Sequence, residues 1–179
     1  MLKKSDHVAF AVFDTSLGWM GVVGSARGLK KVILPQKSKK LVDDQIISCG
    51  CVSENHDPAC FGDLSDRLRR YLGGEPVAFA DKLDVAGATH FQQRVWQVVH
   101  TIPYGETRSY GWVAKKLDSP KAARAIGQAL ARNPMPIVIP CHRIIDSTGS
   151  LGGFGGGVEV KEFLLRLEQA PSIKVPAKR

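Results

Sequence analysis

Three short apolar runs, separated by turn residues, open the chain. They cover residues 7–13, 18–24 and 28–34, with Thr15-Ser16 and Ser25-Ala26 between them. Apolar runs of this length, interrupted by short polar turns, are typical of consecutive strands. The pattern therefore predicts a three-stranded antiparallel meander.

An irregular stretch and one helix follow the predicted strands. Residues 35–58 mix charged residues, serine and cysteine without a period, and we predict that they form a mobile connection. Apolar residues at helical spacing then predict a helix from Ala59 to Gly73-Gly74. Residues 75–88 are predicted to be extended and to cross a domain boundary. The helical stripe consists of Leu64, Leu68, Tyr71 and Leu72.

The second half of the chain is predicted to be mostly helical. A capping box at 89–92 begins a helix with an apolar stripe. A second helix is predicted over 109–117. A third is predicted over 119–132, where serine and then proline begin the segment and Asn133-Pro134 ends it. The second and third helices, joined by a tight turn, indicate a helix-turn-helix. The stripe of the first helix is Phe91, Val95, Trp96 and Val99.

The C-terminal part of this half alternates short elements with a glycine-rich segment. Residues 137–139 predict a short buried strand that delivers 140–143 to a cleft. Six glycines in 149–157 predict a mobile loop or a close approach of the backbone. A final helix is predicted to end near Glu168, and its apolar face is Val160, Phe163, Leu164 and Leu167.

Length and composition exclude several classes of protein. A chain of 179 residues suffices for one large or two small domains, and a hydrophobic share of 44% excludes a disordered or fibrous chain. Apolar runs such as 8–13 are too short to cross a membrane, and no run of signal-peptide length follows the N-terminus. Four cysteines are too few for a disulfide framework, so we expect free thiols in the cytoplasm.

Most of the net charge of +8 lies in residues 108–143, which carry seven basic residues and one acidic residue. Such an excess is typical of a polyanion-binding surface. Small residues on the third helix of this half, among them Ala123 and Ala125, would let that helix approach a groove closely. On charge alone, a solvated basic face without a partner remains an alternative. The candidate nucleic-acid contacts from this segment are Lys121, Arg124, Arg132 and Arg143.

Cys141 and His142 carry the candidate chemistry. A cysteine is a nucleophile only as the thiolate, and a nearby histidine can take its proton directly or through a water. A carboxylate can orient that histidine, and Glu168 is a candidate because the final helix must pack its apolar face inward. A buried thiol beside a hydrogen-bonded histidine is the structural alternative.

The segment 139–144, Ile-Pro-Cys-His-Arg-Ile, resembles the active-site signature of the O6-alkylguanine-DNA alkyltransferases, the methylated-DNA–protein-cysteine methyltransferases. The resemblance covers residues 89–169 densely and the first half sparsely. Further matching segments lie at 102–107, 109–110, 120–127, 133–134 and 161–165, together with the glycine loop.

The resemblance implies a role for each matching residue. Cys141 would accept the alkyl group, with His142 as base through a water and Glu168 orienting the histidine. Asn133 would brace the turns behind the active site. Tyr110 would crowd the DNA phosphate and lend a proton as the guanine leaves.

Two further roles follow from the resemblance. Arg124 would fill the base stack after the damaged base is rotated out, on a recognition helix that enters the minor groove beside Ala123 and Ala125. The substrate pocket would be formed by Phe154, which stands where many relatives carry tyrosine, and by glycines of the same loop. Gly153, Gly155 and Gly156 replace bulkier residues of some relatives, which would widen the pocket for larger alkyl groups. The pocket glycines are Gly152, Gly155 and Gly156.

The implied fold is α/β in two parts. Residues 1–86 would form a small ribonuclease-H-like domain, and residues 87–170 a mostly helical domain with a winged-helix-like helix-turn-helix. Residues 171–179 would form a flexible tail. The expected partner is double-stranded DNA containing O6-alkylguanine, bound by a monomer in the cytoplasm, in the nucleoid if the source is prokaryotic, without a membrane or a cofactor.

Some interpretations compete with these. Enough ligands for zinc are present at 49–60, but their spacing fits no familiar zinc module, and a loose charged connection is the alternative we favour. A non-enzymatic lesion sensor of the alkyltransferase-like class would lack the cysteine that is present here. A cysteine hydrolase with turnover would need an oxyanion hole, which nothing in the sequence requires. The zinc candidates are Cys49, Cys51, His56 and Cys60.

Overall fold

The computed structural model describes residues 8–51 and 56–169. The chain divides into two units, Met1–Gly87 and Ala88–Arg179. The predicted α/β class is confirmed, because the described residues contain a small antiparallel sheet together with six α-helices. No helix within the described ranges is long and apolar enough to cross a membrane.

The first unit is built on the predicted meander. Strands β1 (Ala9–Thr15), β2 (Gly18–Ser25) and β3 (Gly28–Gln36) pair antiparallel in that order, so this prediction is confirmed. Gly18 is required at the first turn, since its φ is +122° and a Cβ there would lie 2.3 Å from the carbonyl oxygen of Gln36.

The segment predicted to be extended runs beside β3 at one point. The amide of Leu29 donates to the carbonyl of Lys82, and the amide of Asp84 donates to the carbonyl of Leu29, both at 2.7 Å. Asp84 also accepts hydrogen bonds from Ser25 and Arg27 at 2.6 and 3.1 Å. These contacts attach the chain that leads out of the first unit to the end of the sheet.

The prediction of a mobile connection over 35–58 is wrong for its first part. Residues Lys39–Ile47 form helix α1, and the Ser38 hydroxyl accepts a hydrogen bond from the amide of Leu41 as its N-cap. Val42 and Ile46 are buried against the sheet core. The helical signal is weak because apolar residues lie on more than one face of this helix. Residues 52–55 of the predicted connection lie outside the described residues.

The predicted helix after Ala59 is confirmed with a later start. A 3₁₀ turn spans Pro58–Phe61, and helix α2 spans Leu64–Leu72 with Gly73 as its C-cap. Its predicted apolar stripe is buried in full.

Helices α3 (His90–His100), α4 (Tyr110–Lys116) and α5 (Ala123–Ala131) pack together in the second unit. The predicted capping box of α3 is present, and the indole of Trp96 donates to the carbonyl of Ala129 at 2.9 Å. α5 begins at Ala123 rather than after Ser119, so the predicted start is wrong. The Ala122 amide bonds to the carbonyl of Ser119, which closes a turn before the helix.

The elements around the candidate nucleophile differ from prediction. Residues 137–139 are buried but form a turn, with Ile137 at φ +74°, and not the predicted strand. The strand pair is instead β4 (Arg108–Ser109) with β5 (Ile144–Ile145), in parallel. A fully buried apolar triplet does not distinguish a strand from a turn that crosses the core.

Helix α6 spans Val158–Leu167, near the predicted bounds. Its predicted inward face is partly wrong: Lys161, Leu164 and Leu165 are buried, whereas Phe163 is 38% exposed. Lys161 lies one helical turn before the two leucines, so it shares their face.

The two neighbouring isoleucines at the end of α1 test whether this helix belongs to the folded core. Ile46 is 2% exposed and Ile47 is 65% exposed. We expect Ile46→Ala to lower the free energy of unfolding by about 2–5 kcal/mol, because it leaves a cavity under the sheet. Ile47→Ala is the matched control and should change it by about 0.5 kcal/mol or less. Urea denaturation of both variants gives the comparison, and equal effects would contradict the placement of α1.

Candidate active site

Cys141 begins a 3₁₀ turn, Cys141–Arg143, that joins the buried turn at 137–139 to β5. The side-chain amide of Asn133 donates to the sulfur at 3.0 Å and to the carbonyl of Ile139 at 2.9 Å. Its oxygen accepts from the amide of Met135 at 2.9 Å. Asn133 therefore connects the end of α5 to the buried turn and to the thiol.

The Cys141 thiol lies in an environment with opposing influences. Its residue is 6% exposed, and burial raises the pKa of the thiol. The hydrogen bond from Asn133, the charge of Lys161 and nearby backbone amides act in the opposite direction. The net direction is upward, so at neutral pH the thiol holds its proton until a base removes it.

His142 and Glu168 are adjacent and fully shielded from solvent. The imidazole Nε2 lies 2.9 Å from Glu168 Oε1. Burial lowers the pKa of His142, and the neighbouring carboxylate only partly opposes this, so the ring is neutral at pH 7. Burial alone would raise the pKa of Glu168, but hydrogen bonds from His142 and Arg143 hold it well below its usual range. Glu168 is thus an ionised acceptor next to a neutral histidine.

Arg143 completes this buried network and does not fit its predicted place on the basic surface. Its residue is 6% exposed, and its guanidinium donates twice to Glu168, at 2.9 Å each, and to the carbonyl of Ile102 at 2.5 Å. The net charge of a segment does not distinguish its exposed charged residues from its buried ones. Arg143 neutralises a buried carboxylate instead, so we withdraw it as a DNA contact.

A cavity of about 410 Å³ opens beside the sulfur of Cys141. Tyr110 and Phe154 line it, as does Gly155 from the predicted pocket glycines. Gly152 and Gly156 do not line it; a Cβ on Gly152 would lie 3.1 Å from the Tyr110 hydroxyl. Gly153, expected to widen the pocket, also lines it. Sequence reasoning missed three lining residues, all of α5: Gly127, Leu130 and Ala131.

One helix contributes both to this cavity and to an exposed basic surface. Ala123, Arg124 and Ala125 at the start of α5 are exposed, as are Lys121 before it and Arg132 after it. Gly127, Leu130 and Ala131 of the same helix face the cavity. The thiol can therefore be reached from a pocket whose wall continues into a positively charged helix.

The cysteines of the first unit have other neighbours. The ammonium of Lys31 donates to the sulfur of Cys49 at 3.1 Å, and the thiol of Cys60 donates to Asp57 at 2.8 Å. Within residues 8–51 and 56–169, no three His, Cys, Asp or Glu side chains are grouped as metal ligands would be.

Comparisons with known proteins give consistent relatives. A family model described as "6-O-methylguanine DNA methyltransferase, DNA binding domain" matches residues 90–170. A protein of Methanosarcina acetivorans named methylated-DNA--protein-cysteine methyltransferase is 42% identical over 160 residues, 89% of this chain and 97% of its own length. One of the same name from Mycobacterium bovis is 50% identical over 114 residues, 64% of this chain and 68% of its own.

The fold is also similar to solved structures. The crystal structure of Mycobacterium tuberculosis OGT in complex with DNA superposes with a TM-score of 0.74 at 38% identity. The match covers 92% of this chain and 95% of that one.

The buried carboxylate makes a testable contribution to stability. Glu168→Gln leaves Arg143 charged and without its ionised partner, so we expect the free energy of unfolding at pH 7 to fall by about 3–5 kcal/mol. Because the pKa of Glu168 is lower in the folded state than in the unfolded chain, its stabilisation is complete above about pH 4.3. It is lost as the pH falls further, through the folded-state pKa. Urea denaturation at several pH values measures both effects.

Glu162→Gln on the same helix is the matched control. Glu162 pairs with Arg166, whose side chain is 61% exposed, and this surface pair should contribute less than about 1 kcal/mol. An equal loss in the two variants, or a difference between Glu168→Gln and the unmodified protein that stays constant into acid, would contradict the role of Glu168.

Proposed function

This chain belongs to the family of methylated-DNA–protein-cysteine methyltransferases, and on that premise we propose that it repairs alkylated DNA by direct reversal. Cys141 takes an alkyl group from O6 of guanine, with O4 of thymine as a second candidate substrate atom. The observation that carries the proposal is the position of Cys141 in a cavity whose wall is the helix with the exposed basic surface.

The reaction is a single displacement. The sulfur of Cys141 forms a bond to the alkyl carbon, the bond from that carbon to O6 breaks, and its electron pair stays with the guanine oxygen. The thiol proton passes through a water to His142, and Tyr110 lends its hydroxyl proton to a guanine ring nitrogen. The proton held by His142 then restores the tyrosine, so the products are guanine and a thioether. A thioether has no good leaving group, so each protein molecule repairs one lesion.

The network around Glu168 suits His142 for this proton transfer. An ionised Glu168 accepts a hydrogen bond from Nε2, so Nδ1 is the ring nitrogen whose lone pair can take a proton. The carboxylate then stabilises the imidazolium that forms. Arg143 holds the carboxylate in place from the opposite side.

Asn133 and Tyr110 have supporting roles in the proposal. The amide of Asn133 donates to the sulfur and so favours the thiolate, in addition to bracing the turn. Tyr110 lines the cavity at the start of α4 and is suited to donate its hydroxyl proton to the guanine as it leaves. Burial raises the pKa of Tyr110, which keeps its hydroxyl protonated as a donor.

The base must leave the duplex to reach the cavity. Extruding a base costs a few kcal/mol, and a side chain that fills the vacated stack offsets part of that cost. Arg124 lies exposed between two alanines near the start of α5, where the helix can approach DNA closely. Lys121 and Arg132 are placed to contact phosphates without reading sequence.

Two alternatives have less support. An alkyltransferase-like lesion sensor would need no nucleophile, whereas Cys141 lines the cavity here and the curated relatives carry a transferase name. A hydrolase with turnover would need a route for water to cleave the intermediate, and a thioether is not hydrolysed.

The finer points of the fold and setting belong to the same proposal. We propose a ribonuclease-H-like arrangement for residues 1–86 and a winged-helix-like one around α4 and α5. We also propose a monomer that acts on double-stranded DNA in the cytoplasm. The sheet order of the first unit and the adjacent helices of the second support the two fold assignments.

Cys141→Ser tests the assignment of the acceptor. We expect the variant to fold and bind DNA but to accept no alkyl group, because a serine hydroxyl is a far weaker nucleophile than a thiolate. Intact mass measurement after incubation with duplex DNA containing O6-methylguanine should show one added methyl group on the unmodified protein only. Stoichiometric label on Cys49, Cys51 or Cys60 in the variant would overturn the assignment, and catalytic turnover by the unmodified protein would favour a hydrolase.

Arg124→Ala separates base extrusion from simple binding. If Arg124 fills the stack, repair of duplex DNA should fall by about tenfold or more, because the cost of extrusion is no longer offset. Transfer from single-stranded DNA should be affected much less, and transfer from free benzylguanine should be nearly unchanged.

Lys121→Ala is the matched control for Arg124→Ala. Loss of a phosphate contact should weaken binding to all DNA sequences alike. It should also reduce the slope of log affinity against log salt concentration by about one. Rates of transfer on the three substrates compare the two variants. If Arg124→Ala behaves like the control, or loses equally on all three substrates, the stack-filling role is wrong.

A further inference from the structure

Lys161 is a charged residue buried in the second unit. Its side chain projects from α6 and is 0% exposed. Lysines are almost never fully buried unless a carboxylate compensates their charge. Among the residues that the structure describes, no carboxylate lies within ion-pair distance of this ammonium. A lysine at the surface would keep its hydration, whereas burial of this ammonium reduces the stability of the fold. Its burial therefore needs an explanation.

The ammonium of Lys161 is bound by backbone carbonyls from two segments of the active site. It donates to Ile144 at 2.5 Å and to Leu151, with a longer contact of 3.5 Å to Gly153. Ile144 comes directly after the turn that carries Cys141 and His142. Leu151 and Gly153 belong to the glycine loop, and Gly153 lines the cavity beside the thiol. Lys161 therefore connects the loop wall of the pocket to the strand that follows the turn with the nucleophile.

The same ammonium interacts electrostatically with Cys141. Burial lowers the pKa of Lys161 to about 8, and a negative Cys141 acts in the opposite direction. The group is therefore mostly charged at pH 7. The interaction is mutual, since the charge of Lys161 also favours the thiolate of Cys141.

Other ionisable groups around the pair do not replace this charge. His142 is neutral at pH 7, and the charge of Arg143 is balanced by its ion pair with Glu168. Tyr110 carries a raised pKa, and the exposed Asp146 acts on it with a negative charge. Among residues 8–51 and 56–169, Lys161 is thus the cation without a paired carboxylate whose charge acts on the sulfur.

We propose that Lys161 is a positioning residue for alkyl transfer, which holds the glycine loop against the strand after Cys141 and stabilises the Cys141 thiolate by its charge. The inference rests on the proposed function of Cys141 as the alkyl acceptor. It explains why a lysine is kept in the interior at a position that shares a face with Leu164 and Leu165.

The first test is the pH dependence of transfer from free benzylguanine, which requires no DNA contact. Lys161→Gln keeps a hydrogen-bond donor for the carbonyls and removes the charge. Its transfer rate should fall by about tenfold at neutral pH, where Lys161 of the unmodified protein carries its charge. The difference from the unmodified protein should shrink above about pH 8, where Lys161 itself loses its proton. Lys40→Gln, an exposed lysine of α1, is the matched control and should leave the profile unchanged.

The second test measures the thiol itself and requires no alkyl transfer from a base. Labelling of Cys141 by iodoacetamide at pH 7, followed by peptide mass, should be about tenfold slower in Lys161→Gln than in the unmodified protein, because labelling also needs the thiolate. Equal rates of transfer and labelling in the two proteins at pH 7 would overturn the proposal, and so would a difference that is the same at pH 7 and well above pH 8. If the unmodified protein accepted no alkyl group from guanine, the proposed function would fail, whereas the labelling comparison would still decide the coupling.

Discussion

The carboxylate of Glu168 is the buried charge around which the second unit is organised. It lies at the end of α6 and receives hydrogen bonds from His142, from Arg143 and, at 3.1 Å, from the backbone amide of Gly105. A buried carboxylate is tolerated only when its lone pairs are satisfied with good geometry. The end of α6, the turn after Cys141 and the loop after α3 are consequently fixed relative to one another, and the position of the histidine follows from that constraint.

Local signals in the sequence predicted a large part of the fold. The meander and the capping box of α3 depend on residues close together in the chain, and the structure contains both. Helix α1 was missed because its burial is decided by the sheet that Val42 and Ile46 cover, which no local pattern reveals. The turn at 137–139 was predicted as a strand because both arrangements bury the same apolar residues.

In the candidate site, too, local sequence signals predicted some residues, whereas the position of others depends on tertiary packing. Cys141 and His142 are sequence neighbours within a specific motif, and Glu168 could be inferred from the direction of the final helix. Arg143 was misplaced because a charge count carries no information on burial. The α5 residues that line the cavity, and Lys161, could not be found without knowing which helix faces which loop. The spacing of Lys161 to Leu164 and Leu165 was the one available signal.

The side-chain amide of Asn133 has an orientation that cannot be reversed. Its nitrogen faces two acceptors, the carbonyl of Ile139 and the sulfur of Cys141, and its oxygen faces the amide of Met135. Conversion to aspartate would replace that donor with a negative charge beside the thiol. Spontaneous deamidation of asparagine proceeds by attack of the next residue's backbone nitrogen after it loses its proton, and Pro134 has no such proton. The proline that follows α5 thereby also protects the site from deamidation, the commonest chemical ageing of an asparagine.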